Sequence, residues 1–289
     1  MYNEIAANKR KTVFMMIFFI VLVGILGWLF ALYIGDQSLT VYILIASAVY
    51  VVVSYLLSSK TALAINGARR IEKKDNPRLW RVVENLAITE GLPMPKVYII
   101  SDPALNAFAT GRNPENSSVA VTSGLLEVMN DTELQGVMAH ELGHVKNYDI
   151  RVSMIAFALV GAVGIIADIM LRMTWFRDED DTNQVAFLIG LAGAILAPIA
   201  AVLIQLSISR KREFLADATG ALTTRYPEGL ASALKKIGES GGSMRKQNSS
   251  TAHLFFANPL KGKKVTSMFS THPPISERID RLNKMGSLK

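Results

Sequence analysis

The chain has 289 residues, of which 50% are hydrophobic and 19% are charged, and it contains no cysteine. This composition excludes a disordered chain, because half of the residues can bury apolar surface, and the absence of thiols excludes a disulfide-stabilised secreted domain. The mean hydropathy of +0.28 and the net charge of +7 together favour a membrane protein, since basic residues commonly orient membrane proteins.

Four stretches hold most of the apolar residues, and we predict that each is a transmembrane helix. They are residues 13–34, 41–57, 152–171 and 185–208. The first stretch has 22 residues without a charge, which is enough to cross about 30 Å of hydrocarbon at 1.5 Å per residue. It is too long for the core of a signal peptide, so we predict a retained anchor. For the last two stretches, a buried hairpin of core helices is the alternative.

Basic residues cluster on one side of these stretches. Lys9–Lys11 precede the first stretch, residues 60–74 include five lysines and arginines after the second, and Arg210–Arg212 follow the fourth. Because lysine and arginine are retained on the cytoplasmic side, both termini and the segment 58–151 are predicted to be cytoplasmic. This placement accounts for the positive charge without nucleic acid, and no interleaved aromatic and basic pattern indicates nucleic-acid binding.

Residues 75–151 have the pattern of a small α+β unit. A helix is predicted over residues 78–90, because Asn76 and the following proline form a start signal and Gly91 is a stop signal. Short strands are predicted over residues 96–100, 106–110 and 118–122. The C-terminal residues 226–289 are predicted to be mostly helical.

The next predicted helix begins near Thr132 with Asp131 as its N-cap, and it contains the motif His140-Glu-Leu-Gly-His144. Histidines four residues apart lie on the same helical face, so both rings can bind one ion. Glu141 flanks that ion and can take a proton from a metal-bound water as general base. Neutral imidazole suits zinc, and a catalytic zinc site has three protein ligands and one open position. The motif therefore predicts a hydrolytic zinc site.

The spacing leaves the third ligand open, because no third histidine follows the motif closely. His253 and His272 are candidates, as are the carboxylates of Glu213 and Asp217, which lie four residues apart directly after the fourth apolar stretch. One of these carboxylates could bind the ion while the other orients a histidine. The alternative for Glu213 is an ordinary interfacial charge paired with a neighbouring arginine.

Taken together, these motifs resemble the HtpX group of membrane zinc metalloproteases, which are relatives of the CAAX prenyl proteases. The resemblance covers nearly the whole chain and rests on His140–His144, Arg212–Asp217, Asn106–Ala109, Asn258–Pro259, Thr271–Pro274 and Arg278. It implies that His140, His144 and Glu213 bind zinc. It also implies that Glu141 is the catalytic base and that Asp217 supports a ligand from behind.

The resemblance further implies an endopeptidase that degrades misfolded or damaged membrane proteins, in a role linked to heat stress. Asn106 to Thr110 would then be an edge strand beside the cleft, where an extended substrate adds by main-chain hydrogen bonds. His272 could donate to the oxyanion, although a structural His-Pro turn is an equal alternative.

We therefore predict an integral membrane, mainly α-helical protein with four transmembrane helices and a cytoplasmic α+β zincin-like metalloprotease domain. Residues 1–60 would form an N-terminal transmembrane hairpin, and residues 61–151 a protease part with the motif helix. Residues 152–209 would form a second transmembrane hairpin, and residues 210–289 a protease part with the third zinc ligand and the C-terminal helices. The protein would lie in the bacterial plasma or inner membrane, with the active site facing the cytoplasm.

The predicted cofactor is one Zn²⁺ per chain, and the predicted partners are polypeptide substrates and the lipid bilayer. Two alternatives from other classes remain open at this point. One is a membrane scaffold or pseudoprotease that binds zinc without hydrolysis. The other is a small transporter in which Asp168 and Gln205 line a polar path, although Asp168 is more simply read as an interfacial residue paired with Arg172.

Overall fold

A computed structural model describes residues 2–34, 36–173, 209–240, 243–245, 248, 251–259 and 273–287. The fourth apolar stretch (185–208), which includes Gln205, lies outside these residues, and so do His272 and the side chain of Asp168. The predictions that concern them are therefore not addressed by the fold.

Three helices of the described part are long and apolar enough to cross a membrane. They are α1 (Tyr2–Ile34), α2 (Ser38–Ile65) and α6 (Asp149–Met173), and their candidate spans are Ile5–Trp28, Ser38–Ile65 and Asp149–Ile166. These helices contain the first three predicted stretches. Helix α1 begins well before residue 13, because the basic segment before the apolar run continues the same helix.

The three apolar helices pack against one another through a shared set of buried side chains. This set includes Met15 and Phe19 of α1, Val51 of α2, and Ile155 and Leu159 of α6. The opposite faces of α1 and α2 expose large apolar side chains, among them Phe14, Ile17, Val41, Tyr42 and Ile45. In a bilayer those faces would contact lipid, since exposed apolar surface of this extent is unfavourable in water.

A four-stranded mixed sheet lies next to these helices. Its strands are β1 (Ala68–Arg70), β2 (Lys96–Ile100), β3 (Ala107–Gly111) and β4 (Ser117–Thr122). The spatial order is β1-β2-β4-β3, with β2 and β4 parallel and the other two pairs antiparallel. The predictions for β2, β3 and β4 are confirmed to within one residue. Within the described part of the chain β3 is an edge strand, as predicted.

One helix of this unit begins and ends at the predicted signals. Helix α3 (Pro77–Glu90) has Asn76 as its N-cap, and it ends at Gly91 in the left-handed conformation. A short helix α4 (Ser123–Val128) follows β4, and α5 (Asp131–Lys146) carries the histidine motif. The prediction of Asp131 as N-cap is wrong. Asn130 is the N-cap, because its side chain accepts from the Glu133 N–H while the Glu133 carboxylate accepts from the Asn130 N–H.

Among the described residues after position 209 there are three further helices: α7 (Arg210–Thr224), α8 (Pro227–Ser240) and α9 (Ile275–Gly286). A 3₁₀ turn at Ala252–Leu254 lies between α8 and α9. Helix α5 is enclosed by this layer and by the sheet, and almost every residue from Gly136 to Gly143 is buried. Its motif residues therefore sit in a rigid interior, where packing fixes their positions.

Candidate metal centre

Three side chains from two helices converge at one point in the cleft. His140 and His144 project from α5, and Glu213 projects from the first turns of α7. The two Nε2 atoms are 3.1 Å apart, and the Glu213 carboxylate oxygens lie 3.7 Å from His140 Nε2 and 3.5 Å from His144 Nε2. In a tetrahedral zinc site with bonds of about 2.0–2.1 Å, neighbouring donor atoms lie about 3.3 Å apart. The donor set therefore fits one ion of this size.

Each imidazole has a different carboxylate within hydrogen-bond distance of its Nδ1 atom. Asp217 of α7 lies 2.9 Å from His140 Nδ1, and Asp149, at the start of α6, lies 3.0 Å from His144 Nδ1. An Nδ1–H that donates to a carboxylate leaves the lone pair on Nε2, the atom that faces the cluster. These contacts favour, in each ring, the Nδ1–H tautomer that a metal ligand needs. Asp217 was predicted from the sequence and Asp149 was not, although an acid placed just after the motif helix is a usable signal.

Arg278 of α9 completes the environment of Asp217. Its Nε donates to Asp217 Oδ2 at 2.9 Å and its Nη2 donates to Oδ1 at 2.7 Å, and the side chain is 1% exposed. Burial favours the neutral acid, but the hydrogen bond from His140 and the Arg278 guanidinium outweigh burial and hold the pKa of Asp217 well below its ordinary value. Asp217 is therefore a carboxylate at neutral pH and can accept the hydrogen bond from His140.

Glu141 is buried beside the two histidines and lies under the edge strand. Its carboxylate accepts a hydrogen bond from the Ala109 N–H of β3. Burial raises the pKa of Glu141 to about 7, a shift that the charge on His144 opposes and the charge on Glu213 supports. A carboxyl with a pKa near neutrality can both accept and return a proton, which is the property of a general base that later acts as an acid.

The two histidine rings differ in their affinity for a proton. Burial lowers the pKa of His140 to about 4, so its ring is neutral at pH 7. Burial also disfavours protonated His144, but the hydrogen bond to Asp149 and the charge of Glu213 outweigh burial and raise its pKa to about 9. A metal ion that binds His144 Nε2 must therefore displace a proton, because ligands bind in the deprotonated form.

His253 lines the same cleft, but the metal-capable cluster of the described residues consists of His140, His144 and Glu213. The His253 Nε2 lies 3.5 Å from the Ser153 carbonyl oxygen. Other cleft-lining residues are Ala109, Asp149, Ile150, Ser153, Arg212, Leu254, Phe255 and Phe256. The cleft therefore has a mixed lining, in which apolar side chains accompany the metal-capable cluster.

The outer edge of β3 is partly occupied by the chain itself. The Thr122 N–H donates to the Asn106 carbonyl, so the main-chain groups of Ala107 and Ala109 point away from β4. The Ala107 carbonyl accepts from the Phe256 N–H at 2.8 Å, and the Ala109 N–H contacts Glu141. The stretch near Ala109 is buried but lines the cleft directly beside Glu141.

The chain combines helices that can span a membrane with a His–His–Glu cluster beside a buried glutamate. This combination defines the class of membrane metalloproteases. Residues 73–286 match the family model for peptidase family M48. The chain belongs to peptidase family M48, and it is a metalloprotease. The two alternatives, a zinc-binding scaffold and a small transporter, are not favoured by this membership.

Several curated proteins are similar over the full length. A protein named "Protease HtpX homolog" from Tropheryma whipplei (strain Twist) is 53% identical over 289 residues, covering 99% of both chains. A protein of the same name from Streptococcus pneumoniae (strain Hungary19A-6) is 42% identical over 298 residues, covering 99% of this chain and 100% of the relative. The resemblance to the HtpX group is confirmed by these relatives.

Among solved structures, the crystal structure of S. mikatae Ste24p is similar in fold. It has a TM-score of 0.52 and 19% sequence identity, and the match covers 89% of this chain and 60% of that one. The present chain thus corresponds to about three-fifths of the Ste24p chain, and the likeness concerns the fold alone.

Proposed function

We propose that the protein is a zinc endopeptidase of the cell membrane, which hydrolyses misfolded or damaged membrane proteins on the cytoplasmic side. The observation that supports this most is the convergence of His140, His144 and Glu213 next to buried Glu141. Two imidazoles and a carboxylate suit zinc. The chain has no cysteine, so a thiolate cannot close the fourth position.

The proposed mechanism assigns a separate task to each side chain. His140 and His144 would hold the ion through Nε2, and Glu213 would hold it through its carboxylate. When bound, zinc polarises the scissile carbonyl and lowers the pKa of a water molecule towards neutrality. Glu141 takes the proton of the attacking water and later passes it to the leaving amine. Ala109 steadies Glu141 during both transfers, because its N–H contacts the carboxylate.

The proposed substrate is an extended polypeptide that lies along β3. Main-chain hydrogen bonds to an edge strand read the backbone rather than side chains, which suits an enzyme acting on many damaged proteins. The names of the similar proteins, and the stress-response role that the HtpX resemblance implies, support the assignment to protein quality control.

The proposed membrane arrangement has four transmembrane helices and two protease parts. Residues 1–60 and 152–209 would form the two hairpins, and residues 61–151 and 210–289 would form the cytoplasmic protease. The clustering of lysine and arginine at Lys9–Lys11, residues 60–74 and Arg210–Arg212 supports a cytoplasmic active site in a bacterial plasma or inner membrane.

The proposal is tested with purified full-length protein in detergent. Zinc content is measured together with hydrolysis of a casein-like substrate, for wild type, Glu141→Gln and the control Glu127→Gln, which alters an exposed glutamate. We expect one zinc per chain in all three proteins and a loss of activity of at least about 100-fold only in Glu141→Gln. Hydrolysis by Glu141→Gln at the wild-type rate would refute the mechanism, and an inactive zinc-loaded wild type would indicate a scaffold.

A further inference from the structure

The first membrane helix reaches the metal centre through a single buried amide. Asn8 of α1 is 4% exposed, and its Nδ2 donates to Asp149 Oδ1 at 2.8 Å and to the Asn147 carbonyl at 2.9 Å. The other oxygen of Asp149, Oδ2, lies 3.0 Å from His144 Nδ1. A continuous hydrogen-bonded path therefore joins α1 to His144.

The turn between α5 and α6 is held by α1 at more than one residue. Asn147, Tyr148 and Asp149 form this turn, and Tyr148 has a φ of 61° in the left-handed region. A non-glycine residue in that region is unfavourable by about 1 kcal/mol or more, so the surroundings must maintain it. Asn8 bonds Asn147 and Asp149, while the Lys9 ammonium lies 4.5 Å from the centroid of the Tyr148 ring.

We propose that Asn8 is a positioning residue for the metal centre, because it holds the Asp149 carboxylate in the orientation that presents His144. The inference rests on the proposed role of His144 as a zinc ligand. A carboxylate that bonds a ligand histidine through one oxygen can rotate unless its other oxygen is also held. The Arg212 Nε lies 3.5 Å from Asp149 Oδ1, which is too long for a strong hydrogen bond. Asn8 supplies the short contact to Asp149 Oδ1, at 2.8 Å.

This arrangement makes the membrane helix a part of the zinc site. Outer partners of metal-ligating histidines typically contribute 10- to 100-fold to metal affinity. Since Asn8 acts one bond further away, through Asp149, we expect the lower end of this range, about tenfold.

The test measures the dissociation constant for zinc, by competition with a chelating dye, on full-length protein in detergent. Asn8→Leu keeps the approximate volume without the donor, and Asn8→Ser is a smaller variant whose hydroxyl is too short to reach Asp149. Both are expected to bind zinc about tenfold more weakly than wild type. The matched control is Thr12→Val, because Thr12 is buried one turn further along α1 and its hydroxyl donates to the Asn8 carbonyl. Its zinc affinity should stay within about twofold of wild type.

A double-mutant cycle separates positioning from general destabilisation. If Asn8 acts through Asp149, then Asn8→Leu should weaken zinc binding little further in an Asp149→Asn background. Independent losses that multiply would overturn the inference, and so would wild-type zinc affinity in either folded Asn8 variant. A wild type that binds no zinc would overturn the proposed function together with this inference, whereas normal zinc binding by Asn8→Leu would overturn the inference alone.

Discussion

Gly220 of α7 lies against the backbone of His140, so an alanine there tests whether helix packing sets the geometry of the metal centre. A Cβ at position 220 would lie 3.1 Å from the His140 nitrogen and 3.4 Å from the Ala139 carbonyl carbon. The first distance is shorter than an ordinary van der Waals contact. Helix α7 must therefore move away from α5 by a few tenths of an ångström, and α7 also carries Glu213.

The magnitude of the Gly220→Ala effect combines two opposing contributions. Alanine favours a helix over glycine by about 1 kcal/mol, while overpacking in a tight interior costs about 1–3 kcal/mol, so the free energy of unfolding should fall by up to about 2 kcal/mol. The distances from Glu213 to the two histidines, 3.7 and 3.5 Å, should lengthen. Because a misplacement of about 1 Å can lower a rate 100-fold, we expect about tenfold slower hydrolysis.

Thermal unfolding and peptide hydrolysis of the full-length protein measure both effects. The matched control is Gly136→Ala, whose Cβ would lie 2.8 Å from the Leu230 nitrogen of α8, a helix that carries no candidate ligand. This variant should lose stability but retain the wild-type rate per folded molecule. The reasoning is refuted if Gly220→Ala hydrolyses substrate like wild type, or if Gly136→Ala slows hydrolysis equally.

Three other predictions concern charge, pH and helix capping. Arg278→Leu should lower the free energy of unfolding by about 3–5 kcal/mol, because it leaves the Asp217 carboxylate buried without its guanidinium. The control Lys73→Ala, which removes an exposed ion pair, should lower it by less than about 1 kcal/mol. Equal melting temperatures of the two variants would contradict this prediction. In chelator-treated protein, the pKa of His144 is raised from 6.5 to about 9. The stabilisation that protonated His144 gives to the folded state is therefore complete below pH 6.5 and is lost as the pH rises to 9. The melting temperature should therefore fall over this interval, and a similar fall in His144→Gln would count against the assignment. Asn76→Ala should cost about 1 kcal/mol in chemical unfolding because it removes the N-cap of α3, and no measurable change would argue against that cap.

The elements that the sequence predicts well are those with local signals. Helix α3 begins at Asn76 and ends at Gly91 because each residue satisfies main-chain groups of its own helix. Strand β1 was not predicted, since it has only three residues, and its pairing with β2 comes from a distant part of the chain. The N-cap of α5 was misplaced by one residue because neighbouring Asn130 and Asp131 are both good caps.

The residues of the candidate site also differ in whether a local signal predicts them. His140 and His144 are predictable because their spacing alone places them on one helical face. Glu213 could be assigned as the third ligand only through the family resemblance, because the spacing left several candidates for that ligand. Asn8 was missed because its hydrogen bond to Asp149 joins residues 141 positions apart, whereas Asp149 was missed although it follows His144 by only five positions. Asn8 precedes Lys9–Lys11, a segment interpreted only as an orientation signal.

The central claim is that two imidazoles and the Glu213 carboxylate hold one zinc ion, and zinc-edge X-ray absorption on the full-length protein tests it most directly. We predict a zinc ion with two imidazole nitrogens at about 2.0–2.1 Å and oxygen atoms in the remaining positions. In Glu213→Ala, the protein should bind zinc more weakly and its spectrum should show one protein oxygen ligand fewer. Three imidazoles in the wild-type spectrum, which would indicate His253 or His272 as a ligand, or an unchanged spectrum in Glu213→Ala, would contradict the account.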